Sequence, residues 1–578
     1  MSGMKSQLQP NNIQYQIAEN FNIKYMKRRE IIKGLTLIPF AGGLAASPLN
    51  TMASAVTGDK QSLIEGLEAI EEDLVKHGES ILKSINVGPF VNCKGTNTIM
   101  GGSVVRPEVR LAMEAVSTLN VQLDELAFGV GRRLSELTGA EWGLVTSGCS
   151  AGIKLVTTAC LTGGDPEKLI RIPDLTGFSR NEVIIPKSSR TVYDHAIRSS
   201  GAKVIMVETI EDLKRNISPR TAMIYMMAEN LSEPLTIENV SKIARPMNVP
   251  VFIDSAANIL TIPNVHLEQG ADVVAFSGGK GLKAPGCSGL LLGRKDLLIS
   301  AWQASAPHHG FGRDNKVGRE ECIGMLAAVE TWAKMDHVKE MNTWVSWLEN
   351  IQKHVSGING VQTSITKPDP QLLHHVTPYL YITWDPSKLH VTGQEIADEL
   401  FSSEPRVGVQ TGRDEPGITG ITLVGYMMIP GNDKVAGERI FEVLSRKRSQ
   451  KVETAMKTPV SNLVGQWDLE VEYFNSKAVQ QLFIDKQEGN WLTGVYKTDF
   501  SMRTISGSID GNDLKLESHY NVPGDSITSI FHGTIDGDTI AGKIDLGEFL
   551  AAKFTAKRRV YPLNKKQIVV PKGRPQSS

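Results

Sequence analysis

Cysteine is scarce in this chain, and neither sign of charge dominates. Five cysteines are scattered over 578 residues with no CxxC pair, which argues against a disulfide framework and against a cysteine-based zinc site. The net charge is −1 at pH 7, so no broad basic field indicates a nucleic-acid partner. The N-terminal apolar run is much shorter than the ~20 residues of a stable membrane span. A globular protein of several domains is therefore expected.

The N-terminal segment has the layout of an export signal. Lys27-Arg28-Arg29 precedes two isoleucines, and a Gly/Ala-rich run from Gly34 to Ala46 leads to the small residues Ala53-Ser54-Ala55. Paired arginines followed by isoleucines resemble a twin-arginine signal, which carries folded proteins. The sequence thus predicts a periplasmic or otherwise exported protein. The alternative is a basic amphipathic helix, and Met26 is an alternative start.

Short apolar runs alternate with helical patterns through the middle of the chain. The α/β fold class follows: a mainly parallel seven-stranded sheet covered by helices, then a small α/β C-terminal subdomain. Pro107 is expected to open a helix, and one long helical segment is expected from Arg319 to about Val355. The predicted strands of the large sheet are Trp142–Thr146, Glu182–Pro186, Lys203–Val207, Thr221–Met226, Val249–Asp254, Val273–Ser277 and, as an antiparallel return, Gly289–Gly293.

The pattern changes after Pro459 to short strands joined by Gly/Asp/Asn turns. The segments that begin at Gly507 and Gly533 form an internal repeat, each with the order strand, tight turn, strand. This predicts a compact antiparallel barrel or sandwich, which resembles the lipocalin-like modules of many exported bacterial enzymes. The predicted organisation is an export signal and linker (1–58), a large α/β domain with N-terminal helices (59–355), the small subdomain (356–456), the β-module (457–562) and a disordered tail (563–578).

A lysine in a Ser/Gly-rich turn follows a buried strand that ends in an aspartate. Ser277-Gly-Gly-Lys280 comes shortly after the apolar run that ends at Asp254. Such a lysine can form a Schiff base with pyridoxal phosphate (PLP), and the aspartate can keep the pyridine nitrogen protonated. The glycines leave room for a flat cofactor, which favours Lys280 over Lys283. The alternative role of Asp254 is a helix N-cap.

A second motif suits the phosphate of the same cofactor. Gly148, Cys149 and Ser150 follow a predicted strand and open a helix, where free backbone N–H groups and hydroxyls can bind phosphate. Ser277 could add a hydrogen bond. The alternative is a Gly/Ser turn that exists for tight packing.

Several motifs in order over residues 88–450 resemble the fold-type I PLP-dependent enzymes. The branch is that of selenocysteine synthase and D-glucosaminate-6-phosphate ammonia-lyase. The resemblance implies that Lys280 binds PLP covalently, that Asp254 pairs with the pyridine nitrogen and that residues 148–150 hold the phosphate. It also implies a homodimer or larger homo-oligomer. The matching segments are Asn92–Thr96, Gly101–Ser103, Leu123–Leu126, Leu137–Glu141, Val145–Gly152, Tyr193–Arg198, Phe276–Gly289 and Lys316–Glu320.

Three further residues are weaker candidates for substrate contact. Arg313 and Lys316 lie in a Gly-rich loop that approaches the phosphate or a substrate anion in similar enzymes, although a solvated loop would look the same. His195 is a candidate substitute for the ring-stacking histidine that the family often has ahead of Tyr193, and the alternative is a histidine that packs or is solvated on an early helix turn. The pairs His308-His309 and His374-His375 predict no metal site, because adjacent side chains seldom converge on one ion.

The sequence thus predicts a PLP-dependent lyase acting by α,β-elimination on a small amino acid or amino sugar acid, with release of ammonia. A selenocysteine-synthase-like L-seryl-tRNA selenium transferase is an alternative, but near-neutral charge and the export signal count against it. A racemase or aldolase would share the same chemistry. A non-enzymatic binding module on a PLP-enzyme fold is the alternative from another class.

Overall fold

The computed structural model describes residues 75–369, 371–412, 415–450 and 455–560. The predicted export signal and the predicted C-terminal tail lie outside these residues. Among the helices of the described part, none has the length and apolarity that a membrane span needs.

The large domain is built on a seven-stranded sheet with the order β2-β8-β7-β6-β5-β3-β4. All neighbours are parallel except β8, which runs antiparallel to β2 and β7. Parallel strands covered on both faces read as continuous apolar runs, and this is why the predicted α/β fold is confirmed with strand bounds within two residues. After the short β1 (Val91–Asn92), these strands are β2 (Trp142–Thr146), β3 (Glu182–Pro186), β4 (Lys203–Val207), β5 (Thr221–Met227), β6 (Val251–Asp254), β7 (Val273–Ser277) and β8 (Gly289–Gly293).

A helix over residues 75–84 precedes β1. Helices then cover both faces of the large sheet, and the first of these begins at Pro107 as predicted. In chain order they are α1 (Pro107–Ser117), α2 (Leu123–Thr138), α3 (Cys149–Thr162), α4 (Pro166–Leu169), α5 (His195–Arg198), α6 (Ile210–Asn216), α7 (Ile237–Ala244), α8 (Val265–Glu268), α9 (Lys295–Ala304), α10 (Arg319–Lys334) and α11 (His337–Val355).

The prediction of one long helix from Arg319 to Val355 is wrong. The chain leaves the helical conformation at Met335, where ψ is 153°. Asp336 then caps α11, because its side chain accepts a hydrogen bond from the backbone N–H of Lys339. An aspartate is among the best N-cap residues, so it starts a second helix with its own direction.

The small subdomain has an antiparallel four-stranded sheet with the order β12-β13-β10-β9. β1 pairs in parallel with β11, so the segment that precedes α1 is held by the small subdomain. The elements are β9 (Val361–Thr366), β10 (Tyr379–Trp384), α12 (Pro386–Leu389), α13 (Gly393–Ser402), β11 (Val407–Gly408), β12 (Gln410–Thr411), β13 (Thr419–Val424) and α14 (Asn432–Leu444).

The C-terminal strands form a closed eight-stranded antiparallel barrel, which confirms the predicted β-module fold. The two repeats are its hairpins β17–β18 and β19–β20, with Gly511 and Gly537 at φ +62° and +57°, a conformation that glycine adopts without strain. The strands are β14 (Gly465–Glu472), β15 (Lys477–Glu488), β16 (Trp491–Lys497), β17 (Met502–Asp510), β18 (Asp513–Val522), β19 (Asp525–Asp536), β20 (Thr539–Asp545) and β21 (Ala551–Arg558).

Candidate active site

Asp254 ends β6 at the carboxyl edge of the sheet, and its side chain is buried. One carboxylate oxygen accepts from the Tyr225 hydroxyl at 2.8 Å, and the other accepts from the Ala256 backbone N–H at 3.0 Å. No helix follows Asp254, so the alternative role as a helix N-cap is wrong. Burial raises the pKa of Asp254, while these hydrogen bonds and the positive charge of Lys280 oppose that rise.

The Cys149 side chain points to the same carboxylate, with Sγ at 3.4 Å from Oδ1 of Asp254. Burial, reinforced by the Asp254 charge, raises the pKa of this thiol well above its ordinary value. The thiol is therefore a neutral donor to Asp254. Any contribution of Cys149 to phosphate binding would have to come from its backbone N–H. Ser150, one residue further along α3, is exposed and keeps its hydroxyl available.

The N-terminus of α3 has no side-chain cap. Gly148 stands at the N-cap with φ 107° and ψ 160°, a conformation that favours glycine. Its carbonyl accepts from the Thr146 hydroxyl at 2.8 Å. The first N–H groups of a helix lack intrahelical acceptors and carry positive dipole density, so this end of a 14-residue helix suits an anion.

Gly289 lets β8 pack directly against the backbone of that helix end. A Cβ at Gly289 would lie 2.4 Å from the carbonyl carbon of Gly148 and 2.7 Å from the nitrogen of Cys149. Because these are backbone atoms, the helix N-terminus would have to shift. The glycine thus belongs to the anion site although it offers no side chain.

Gly289→Ala is expected to raise the Kd for PLP about 10–100-fold, because a shifted helix end misaligns the N–H donors to the phosphate, and hydrogen bonds to a charged group contribute about 1.5–3 kcal/mol. Absorbance titration of the apoprotein with PLP measures this. Gly129→Ala is the control, because a Cβ at this helical position meets nothing within 4 Å. An unchanged Kd in Gly289→Ala would remove Gly289 from the site.

Lys280 lies in the tight turn that follows β7. The turn is closed by hydrogen bonds from Gly278 N–H to Ser288 O at 2.8 Å and from Lys283 N–H to Lys280 O at 3.0 Å. A Cβ at Gly278 would lie 2.3 Å from the Ser288 hydroxyl oxygen. Gly278 is therefore required by packing within the turn, and the room for a flat cofactor that the sequence pattern suggests stays a prediction.

Lys280 and its neighbour Lys283 have different environments. Within the described residues, no carboxylate lies within 4.0 Å of Lys280. Lys283 is 3.6 Å from Glu340 and stacks on the Trp344 ring, and Arg106 binds the same glutamate. Burial lowers the pKa of Lys283 to about 8. The positive charge of Lys280 thus lowers the pKa of Asp254 and of Cys149, whereas Lys283 is part of a structural ion-pair cluster.

A cleft of about 620 Å³ opens between the segment after β1 and the small subdomain. Its polar lining includes Lys94, His375, Tyr379 and Tyr426. Burial lowers the pKa of His375; the charge of Glu229 opposes this, and the positive charge of Lys280 adds to it. Asp254 and Lys280 do not line the cleft, but the segment continues to Ser103, whose N–H donates to Gly279 O at 2.9 Å. The cleft therefore adjoins the lysine turn.

The weaker candidates Arg313 and Lys316 are exposed on the loop before α10. Asp314 between them pairs with Lys154 of α3 at 2.8 Å, and Lys154 also stacks on the Phe311 ring. The loop is thereby fixed beside the helix that carries the anion site. Both cations remain predictions for substrate or phosphate contact.

His195 lies at the contact with the barrel. Its Nε2 is 2.8 Å from Asp525 in β19, and the side chain is 62% exposed. Tyr193, two residues earlier, is close enough to Asp254 to be affected by its charge: burial raises the pKa of Tyr193, and the negative charge of Asp254 adds to that rise.

His308, of the pair His308-His309, has a structural partner in Asp124. In the described residues no group of three or more potential ligands could hold a metal.

Sequence reasoning missed Tyr225, although a signal for it exists. Tyr225 pairs with Phe252 in the register of β5 with β6, two positions before Asp254, and residues two apart share one face of a strand. The parity of the two predicted strands places Tyr225 on the face of Asp254. The cleft residues His375 and Tyr426 come from distant segments and carry no such local signal.

The residues present fit PLP. A buried carboxylate needs a cationic partner, and a pyridinium nitrogen would supply it for Asp254. The helix end at Gly148 offers an uncapped anion site. Two buried hydroxyls near these groups, those of Ser103 and Ser255, have no hydrogen-bond partner among the described residues.

Comparison with known proteins finds one matching family and several similar enzymes. Residues 144–311 match the aminotransferase class-V family. D-glucosaminate-6-phosphate ammonia lyase of Salmonella typhimurium is 28% identical over 302 residues, which cover 50% of this chain and 79% of that enzyme. L-seryl-tRNA(Sec) selenium transferase of Moorella thermoacetica is 26% identical over 289 residues, 44% of this chain and 58% of the relative.

A solved structure of D-glucosaminate-6-phosphate ammonia-lyase superposes with a TM-score of 0.56 at 25% identity, covering 64% of this chain and 98% of that one. The fold, the domain match and the relatives agree with the site geometry. The chain is therefore a fold-type I, PLP-dependent enzyme that carries an aminotransferase class-V domain.

Proposed function

We propose that this enzyme is a lyase that acts on a small amino acid or amino sugar acid by α,β-elimination. The α-proton and a β-leaving group such as hydroxide depart, and hydrolysis of the resulting enamine, through its imine, gives a keto acid and ammonia. The observation that carries the proposal is the contrast between the two lysines. Among the described residues Lys280 has no carboxylate within 4.0 Å, and its positive charge lowers the pKa of Asp254, whereas Lys283 is paired with Glu340. The 28% identity to an ammonia lyase supports elimination as the reaction. Export and homodimer formation stay predictions of the sequence.

PLP, when bound, supplies an electron sink for the negative charge that develops at the substrate α-carbon. Asp254 would hold the proton on the pyridine nitrogen. The helix end at Gly148 would bind and orient the phosphate. Lys280 would fix the cofactor and then move the proton between its Nζ and the substrate α-carbon.

The cleft beside Lys280 is proposed as the substrate site. Lys94 is half-buried in its lining and has no carboxylate within 4.0 Å among the described residues. Its carbonyl is held by the Gln410 amide at 2.6 Å, which fixes the backbone at that point. An ammonium group in a cleft with tyrosine hydroxyls suits a substrate carboxylate.

A substrate panel tests this reaction. Holoenzyme is incubated with D- and L-amino acids that carry a β-hydroxyl and with amino sugar acids, with and without phosphate, and ammonia and keto acid are measured together. Elimination predicts equal amounts of both products. Lys94→Gln should raise KM about tenfold or more and leave kcat nearly unchanged, because it removes one charge-assisted contact.

The same assay can contradict the proposed elimination. Inversion of the α-carbon without ammonia would show a racemase, and aldehyde with glycine would show an aldolase. Arg132→Gln is the control for Lys94, since Arg132 is exposed on α2 away from the cleft.

A further inference from the structure

The interior of the C-terminal barrel changes character along its axis. One end is packed with apolar side chains such as Trp467, Ile509, Leu514 and Ile535. At the other end β20 and β21 contribute the apolar Ile544 and Ala552, but the other strands contribute polar side chains, namely Tyr473, Gln480, Tyr496, Arg503, Ser518 and Ser529. Small barrels normally fill their interior with apolar side chains, so core packing does not account for this polar layer.

Arg503 is the one cation that we find directed into this layer within the described part of the chain. Its Nε donates to Ser501 Oγ at 2.9 Å and its Nη1 donates to Ser529 Oγ at 3.4 Å. The guanidinium also stacks on the rings of Tyr496 and Tyr520, at 5.2 and 4.8 Å from their centroids. Every contact is with a neutral group.

No carboxylate of the described residues lies within 4.0 Å of Arg503. The side chain is nevertheless half-buried. Removing a charge from water costs free energy unless a counter-charge compensates, and a guanidinium presents a planar fork that matches carboxylates, sulfonates and phosphates. The geometry therefore favours an anion from outside the chain.

The aromatic groups around Arg503 are held in place. The Tyr496 hydroxyl donates to the Gln480 carbonyl oxygen, and the Gln480 amide donates to the Tyr473 hydroxyl at 3.1 Å. The layer is thus organised before any ligand arrives, which reduces the entropy cost of binding.

The turns at this end add an apolar rim. Its members are all at least half exposed: Phe474, Phe500, Met502, Phe549 and Leu550. They belong to three of the four connections at the polar end. Clustered exposed apolar side chains mark binding surfaces. Because the barrel interior is tightly packed, a ligand would have to bind at the mouth, between the rim and Arg503.

The fourth connection contacts the catalytic domain. Arg190 donates to the Pro523 carbonyl at 2.9 Å, and Arg198 and His195 pair with Asp525 at 3.1 and 2.8 Å. Asp525 is therefore paired with side chains of the catalytic domain and is not within 4.0 Å of Arg503. The catalytic domain contacts the barrel at this connection.

We propose that the polar end of the barrel binds an organic anion, a carboxylate or sulfonate on an aromatic or aliphatic body, with Arg503 as its anchor. Arg503 receives the charged group, and the rim covers the apolar body. The site is separate from Lys280 and Asp254 and does not depend on which reaction they catalyse.

Fluorescence titration of the PLP-loaded full chain with 8-anilinonaphthalene-1-sulfonate tests the site. Arg503→Gln is expected to raise the Kd of the saturable phase at least tenfold, and Phe500→Ser several-fold. Lys497→Gln is the matched control, because Lys497 is an exposed cation at the same end of the barrel and should leave the Kd unchanged. Arg503→Lys keeps the charge without the fork and should give an intermediate Kd.

Folding of each variant is checked by near-ultraviolet circular dichroism, and PLP absorbance reports the catalytic domain separately. If Arg503→Gln fails to fold, the comparison of Arg503→Lys with Lys497→Gln decides. Equal affinity in wild type and the Arg503 variants, or no saturable binding to wild type, overturns the proposal.

Discussion

Lys280→Ala is expected to abolish the visible absorption of lysine-bound PLP and to lower kcat by more than about 10³-fold, because the same amine holds the cofactor and transfers the α-proton. Lys280 is the lysine whose charge acts on Asp254 and Cys149. Alanine removes both functions without adding volume. The holoenzyme spectrum and the initial rate of ammonia release measure the two losses.

Lys283→Ala is the matched control. Lys283 lies three positions away in the same turn, but it is paired with Glu340 and stacked on Trp344. Its loss should leave the spectrum intact and affect mainly stability, because Glu340 keeps Arg106 as a partner. Borohydride reduction followed by peptide mass spectrometry should find PLP on residue 280. Cofactor on residue 283, or a colourless wild-type protein after reconstitution with PLP, contradicts the assignment.

Most strands of the large sheet were predictable because burial on both faces leaves an unbroken apolar run in the sequence, and the partly exposed edge strand β4 keeps such a run over residues 204–207. β2, β3, β4, β7 and β8 have the predicted bounds. The break between α10 and α11 was missed because apolar periodicity continues across it. Only the capping chemistry of Asp336 distinguishes one helix from two, and aspartates also occur on the polar faces of uninterrupted amphipathic helices.

The site was predictable where a local motif carries it and less so where distant segments meet. The structure places Asp254 at the predicted strand end and Lys280 in the predicted glycine-rich turn, and their roles toward PLP stay predictions. Cys149 was placed correctly at the helix start, but the helical turn directs its side chain to Asp254 and away from the phosphate role. His195 meets Asp525, a partner more than 300 positions away, and no pattern within either segment announces such a contact.

Asp254→Asn is expected to lower kcat by about 10²–10⁴-fold, the range typical of a lost proton-transfer group. Asparagine has the shape of aspartate but cannot balance a protonated pyridine nitrogen, so the electron sink is weakened. The absorbance of lysine-bound PLP should persist, because Lys280 is untouched. This separates the variant from Lys280→Ala.

The stability of the apoprotein should not fall with kcat in Asp254→Asn: it should stay the same or rise. Folding raises the pKa of Asp254, mainly through burial, so ionisation above that raised pKa costs stability, and the cost disappears as the pH falls below the unfolded-state value. The neutral amide avoids this cost, and apo Asp254→Asn should melt at or above the wild-type Tm at neutral pH.

Tyr225→Phe separates the carboxylate from its hydrogen bond. The variant keeps the charge of Asp254 and removes only the 2.8 Å contact from the Tyr225 hydroxyl, so its kcat should fall much less than that of Asp254→Asn. A Tyr225→Phe enzyme as impaired as Asp254→Asn would assign the chemistry to the tyrosine. Wild-type kcat in Asp254→Asn would show that no protonated pyridine nitrogen is needed, and the role given to this buried carboxylate would then fail.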